Sequence, residues 1–161
     1  MKCLQCGGGM KSSRENYKYT ASGLPRVTML NVEVTRCPKC GEAEVSIPHL
    51  EQLHRLIANL LIQKKAPLTG AEVAFLRKFL GWSGVDFASH MGVAPETVSR
   101  WERDRDQMAA TADRLLRLMV ATREPEKTYE LELLKGIEFV KPKDMQLGLK
   151  VTSKDWGLAA V

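Results

Sequence analysis

The stretch Gly92-Val93-Ala94-Pro95-Glu96-Thr97-Val98-Ser99-Arg100-Trp101-Glu102 reads as a reversal of the chain followed by a short helix. Gly92 can take the left-handed conformation that ends one helix, and Val93 anchors the turn. Pro95 suits the first position of the next helix, where its missing N–H costs nothing. Val98 and Trp101, three apart, share the face turned inward. Working outward toward the N-terminus, Ser83 caps a short helix with Asp86 in its first turn and Phe87, Ala88 and Met91 directed inside. Ala88 is small where two helices must approach closely. Before that, Thr69-Gly70-Ala71-Glu72 forms a capping box that opens a helix burying Val73, Leu76, Phe79 and Leu80, closed by Gly81. Together these signals predict a helix-turn-helix.

In such a unit the outward residues at the start of the last helix face base edges in the major groove of double-stranded DNA. With Val98 and Trp101 taken by the core, Glu96, Ser99, Arg100 and Arg103 remain as candidate DNA-binding residues. Arg100 is the strongest, because a guanidinium donates two parallel hydrogen bonds to guanine, worth roughly 1 to 3 kcal/mol of discrimination. Glu96 can accept from cytosine or simply complement the positive helix N-terminus, and both readings stay open. Arg103 is equally readable as a solvated surface charge.

Downstream, Ala112, Leu115, Leu116, Leu118 and Met119 predict an amphipathic helix that completes the core or faces a twin. Upstream, Ser46-Ile47-Pro48 can start a helix carrying Leu50, Leu53, Ile57, Leu60 and Leu61, ended by Lys64-Lys65-Ala66-Pro67. A connector between modules and half of a dimer seam are both ordinary uses of such a stripe, and the connector is preferred.

The four cysteines form two matched knuckles, Cys3-Leu4-Gln5-Cys6-Gly7 and Cys37-Pro38-Lys39-Cys40-Gly41. A two-residue spacer brings both thiolates of a knuckle to one ion at about 2.3 Å, and the glycine behind each second cysteine permits the reversal. Cys3, Cys6, Cys37 and Cys40 are therefore the candidate ligands of one zinc ion. Four protein sulfurs leave no open position for water, so the role predicted is structural. Disulfides and a thioredoxin-type redox pair are the alternatives. No secretory signal is visible, which makes a reducing cytoplasm the expected setting, and the pairs are not placed in a βαβ pattern. The insert between the knuckles is longer than the roughly 15 to 20 residues of compact zinc modules. Tyr17, Tyr19, Val27, Met29, Val32 and Val34, with a turn at Ser22-Gly23-Leu24-Pro25, make it β-rich.

Of 161 residues, 24 are basic and 19 acidic, a net charge of +5. Residues 1–69 hold ten basic side chains against five acidic, whereas residues 70–122 and 123–161 are each balanced at seven to seven. Zinc on four thiolates would lower the total to about +3. Charge alone thus argues weakly for nucleic acid; the pattern carries the expectation. His49, His54 and His90 are too scattered for a second metal site, and the sequence holds no HExxH, GxSxG or phosphate loop. No enzyme is expected. No run is long enough to span a membrane.

The Gly92–Glu102 string resembles the recognition segment of XRE-type, lambda-repressor-like proteins. The two CxxCG knuckles, the Gly23-Leu24-Pro25 turn, the linking helix and Ser99-Arg100-Trp101-Glu102 resemble, over residues 1 to about 120, the MqsA or YgiT-type antitoxin family. That resemblance implies an α+β chain with a zinc ribbon at 1–47, a linking helix at 48–67 and an XRE domain at 68–122. It also implies that the ribbon grips a ribonuclease toxin while a homodimer represses its own operon at a palindromic operator. Arg100 aligns with a DNA-contacting arginine of the family, and Glu102 with the partner of a helix-one arginine, here Arg77. Glu96 stands where the family can place asparagine, and Asp104 where XRE-type domains usually have glycine. A stand-alone regulator without a toxin is the second reading; an interaction module with a vestigial helix-turn-helix is the third.

The resemblance does not reach residues 123–161. Tyr129, Leu131 and Leu133 alternate with glutamates, and Ile137-Glu138-Phe139-Val140 and Leu147–Val151 are apolar runs, so short strands, a flexible arm and a partner-ordered segment all remain open.

Overall fold

The computed structural model describes residues 1–123 and 128–161, and the chain divides into two compact units: residues 1–19, 26–53 and 146–161, and residues 20–25 and 54–145. The Glu124-Pro125 step, where the sequence changes character, lies outside the described residues. The fold is α+β, as the sequence predicts.

The first unit is built on a five-stranded sheet. Strand β1 (Lys11–Lys18) pairs antiparallel with β2 (Val27–Arg36), and β3 (Ala43–Val45) pairs antiparallel with the far end of β2. Val27 and Met29 of β2 are buried, and so are Val32 and Val34. The odd step from Met29 to Val32 would put the two pairs on opposite faces of a regular strand. Asn31 absorbs it. Its φ is 54°, its amide donates to the Asn16 side chain at 3.1 Å, and the register with β1 shifts between Glu15 and Tyr17. Asparagine tolerates the left-handed conformation, and the resulting bulge lets both apolar pairs face one core.

The remaining strands come from the C-terminal region. Strand β4 (Leu147–Val151) runs parallel to β2, from Val27 opposite Leu147 to Leu30 opposite Lys150, and β5 (Trp156–Ala159) returns antiparallel to it. Leu147, Leu149 and Trp156 are buried, and the Trp156 indole donates to the Pro48 carbonyl at 2.8 Å. These side chains enlarge a core that the knuckle-bearing segment leaves thin. The alternation at Tyr129, Leu131 and Leu133 does not make a strand: the chain there enters a helical turn, Glu132–Lys135. Among the strands the sequence suggests in this region, Leu147–Val151 is the one formed.

The second unit is helical. It takes in helix α1 (Leu50–Ile62) from His54 onward, a stretch in which Ile57, Ala58, Leu61 and Ile62 are buried. Helix α2 (Gly70–Phe79) opens with the capping box of Thr69 and Glu72, and α3 (Gly84–Met91) with a second one formed by Ser83 and Asp86. Gly92, at φ 67°, turns the chain into α4 (Pro95–Glu102), and α5 (Ala110–Ala121) follows. The Glu132–Lys135 turn is α6.

A Cβ on Gly70 would lie 2.6 Å from the carbonyl oxygens of both Trp101 and Glu102, so the start of α2 presses on the end of α4 only because this residue has no side chain. Gly70→Ala is expected to force the two helices apart, costing about 1 to 3 kcal/mol. A thermal melt should show the midpoint lowered by roughly 4 to 8 °C per kcal/mol. An unchanged midpoint would mean that the contact is loose.

The inward face of α5 differs from the expected one. Asp113, Leu116, Arg117 and Val120 are buried, while Leu115 is 40% exposed and Leu118 and Met119 are half-buried. The helix is rotated toward two charged residues because they have partners inside. Arg117 Nε donates to Asp113 at 2.6 Å, and its remaining nitrogens donate to the carbonyls of Ile62 at 3.3 Å, Lys64 at 2.5 Å and Ala66 at 2.8 Å. The second Asp113 oxygen accepts from the Leu68 amide at 2.8 Å. The side chain of α5 thus satisfies the carbonyls left over where α1 ends.

Candidate metal centre and nucleic-acid interface

Each knuckle folds alike. The Gly7 amide donates to Cys3 O at 2.8 Å and the Gly41 amide to Cys37 O at 2.9 Å, with φ 68° at Gly7 and 79° at Gly41. The Cys3 amide returns to Gly8 O and the Cys37 amide to Glu42 O, each at 2.8 Å. Both turns aim their sulfurs at one point. Cys3 Sγ lies 3.5 Å from Cys40 Sγ and Cys6 Sγ 3.4 Å from Cys37 Sγ, and all four fall within 4.8 Å of one another. Sulfurs at about 2.3 Å around a tetrahedral ion are about 3.8 Å apart, so the donor set fits one metal ion and is consistent with zinc.

The electrostatics agree. Amides of Cys40 and Lys39 directed at the Cys37 sulfur hold its thiol down to about 6. At Cys40 the Glu42 amide pulls the same way, but the neighbouring thiols of Cys3 and Cys6, with burial, outweigh it and push the thiol up to about 12. Four sulfurs this close repel one another once ionised, and a divalent cation is what lets all of them be thiolates together. Cys3 and Cys37 are buried while Cys6 and Cys40 are exposed, so the centre sits under the surface with one side open to solvent.

In the helical unit the turn expected at Gly92 is formed, while Met91, expected inside, is half-buried. The Gly92 amide donates to Ser89 O and the Val93 amide to Ala88 O, which closes α3 and starts the turn. Val98 and Trp101 are buried, and the Trp101 ring meets Phe87 edge-on at 6.5 Å. Arg77 holds Glu102 through two nitrogens, at 2.5 and 3.1 Å, so Glu102 is occupied within the fold. Glu96, Arg100 and Arg103 are exposed on α4 or its end, and Ser99 is half-buried beside them. Asp104 adopts φ 53°, and its carboxylate accepts from the Gly70 amide at 2.7 Å. The left-handed strain that glycine would avoid is offset here by an added cap on α2. His90 is exposed and stacks on Trp82 at 3.8 Å, away from any second metal site among the described residues.

The family profile described as the antitoxin component of bacterial toxin-antitoxin system, MqsA, matches residues 1–132. The chain belongs to the MqsA antitoxin family. Comparison with curated proteins returns no match. In this MqsA-family chain, residues 133–161, which supply β4 and β5, lie beyond the matched region.

Reading the sequence missed the buried charges. Asp113 and Arg117 stand four apart and in phase with Leu116 and Val120, and a charged pair in an apolar phase is the signal that could have revealed them. Lys64, read only as part of a helix stop, is buried with Nζ donating to Glu72 at 2.7 Å, Pro67 O at 3.0 Å and Lys143 O at 2.6 Å. Glu72 also accepts from the Thr69 amide at 2.9 Å and the Met145 amide at 2.9 Å. Nothing in the local sequence identifies 143–145 as the partner.

Proposed function

We propose that the chain is an antitoxin that binds operator DNA through α4 as a homodimer and captures a ribonuclease toxin through its cysteine-bearing unit, with one zinc ion held by Cys3, Cys6, Cys37 and Cys40. When bound, zinc supplies structural cross-linking and no catalysis, because four thiolates complete its coordination. The observation that carries the DNA half is the turn at Gly92. It buries Val98 and Trp101 and leaves Glu96, Arg100 and Arg103 exposed, with Ser99 half-buried beside them, the arrangement a helix-turn-helix uses to read a groove. Residues 70–122 carry no net charge, so one copy would bind phosphates feebly. Two copies, reading half-sites about 34 Å apart, answer that weakness, and the exposed Leu115 with half-buried Leu118 and Met119 on α5 supports a paired state. Family membership supports the toxin half and autorepression.

Arg100→Ala is the separating experiment. It removes the guanidinium without touching the core, since Arg100 is exposed. Specific operator affinity should fall at least about thirty-fold in a gel-shift titration, for the loss of two bidentate contacts, one per half-site, at roughly 1 to 3 kcal/mol each. Rescue of cells from the co-transcribed toxin should be retained. Loss of rescue together with retained DNA binding would reverse the assignment of the two units.

A further inference from the structure

Beyond α4 the chain runs Arg103-Asp104-Arg105-Asp106, and the two acids have structural partners. Asp104 caps the Gly70 amide. Asp106 lies with Oδ2 at 3.6 Å from Nη1 of Arg100, and the loop backbone is tied to the same residue: the Arg105 and Asp106 amides donate to Arg100 O at 2.9 and 3.4 Å. Arg103 and Arg105 are exposed, and no ion pair among the described residues holds either.

We propose that Asp106 is a positioning residue for base readout: its carboxylate, 3.6 Å from one guanidinium nitrogen of Arg100, biases the direction of that side chain so that another edge is presented to guanine, and thereby sets operator specificity. The inference rests on the reading that α4 enters the groove. In the free protein the pair contributes little to stability, because its side chains are 65% and 53% exposed and water screens them. On DNA, displaced water makes the same carboxylate a stronger guide. Contact through Nη1 leaves the guanidinium donors needed for two parallel bonds to O6 and N7. A swinging arginine finds phosphates as readily as bases; a held one discriminates.

Removing a negative charge also strengthens attraction to any phosphate backbone, so affinity alone cannot test the idea. The readout is the specificity ratio, the Kd for a scrambled duplex over that for the tightest duplex recovered by selection with the full zinc-loaded chain. Asp106→Asn is expected to lower this ratio about ten-fold, the effect of losing the better part of one base contact. In an Arg100→Ala background, the same substitution should tighten both duplexes equally and leave the ratio unchanged, since charge acts without Arg100 whereas orientation does not. If Arg100→Ala lowers the ratio but Asp106→Asn does not, the positioning role is overturned and groove reading stands. If Arg100→Ala leaves the ratio intact, groove reading through this residue falls, and the role of Asp106 with it.

Discussion

Chelation of the metal is expected to release residues 1–10 and 37–42 and to destabilise the sheet unit by about 5 kcal/mol or more, since structural zinc sites contribute folding free energy outright. The distribution of apolar contacts says where the damage goes. Val27, Met29, Val32, Val34, Leu147, Leu149 and Trp156 make a core along β2 and β4, whereas the knuckles bury little besides Cys3 and Cys37. Hydrogen exchange should therefore show amides such as Gly7 and Gly41 lose protection first and β2 later, with α4 and α5 still protected. Equal protection with and without a strong chelator would remove the metal from the account. The pH dependence has a definite sign. Thiolates bind metal and thiols do not, so acid favours release. Cys37, held down to about 6 by the amides of Cys40 and Lys39, keeps its charge to lower pH than Cys6 and Cys40, whose thiols are pushed up, and metal should be lost as the pH falls. Without metal, that depressed value stabilises the fold above the thiol's usual 9.0, and the contribution disappears as the pH falls through about 6.

Arg117→Met is expected to cost about 3 to 5 kcal/mol, the range for breaking a buried ion pair by removing one partner. Asp113 would lose its buried ion-pair partner, and the carbonyls of Lys64 and Ala66 would lose their donors, while that of Ile62 keeps the Tyr129 hydroxyl at 2.9 Å. Chemical denaturation should register the loss as a lower midpoint with an unchanged slope. Adding Asp113→Leu removes the stranded carboxylate and should recover part of the stability. Recovery stays incomplete, because the Leu68 amide and the Lys64 and Ala66 carbonyls remain without those partners, at about 1 to 3 kcal/mol for each buried group. A single substitution that leaves the midpoint unmoved would mean that water reaches this pair.

What the sequence made legible was punctuation. Thr69, Ser83, Gly92 and Pro95 each have a local reason to sit where they do, and each appears at its expected helix end. The knuckles were equally plain, because the chemistry of a CxxCG turn is contained within five residues. Long-range partnerships were hidden. Strand β4 could be suspected from Leu147 to Val151, but its parallel pairing with Val27–Leu30 joins residues far apart in sequence. The rotation of α5 is not legible in its apolar residues, whose phase turns Leu115 inward, whereas Arg117, bonded to three carbonyls, occupies that side. The arginine at the candidate interface was found by its place on α4; its carboxylate neighbour, Asp106, becomes visible only when the loop folds back onto the Arg100 carbonyl.

Native mass spectrometry of the full chain with a duplex from immediately upstream of its own coding sequence weighs metal, stoichiometry and DNA in one spectrum. The account requires a species of two chains, two zinc ions and one duplex, lost on Arg100→Ala. Metal-free single chains with no duplex attached, with the four cysteines kept fully reduced, would contradict it.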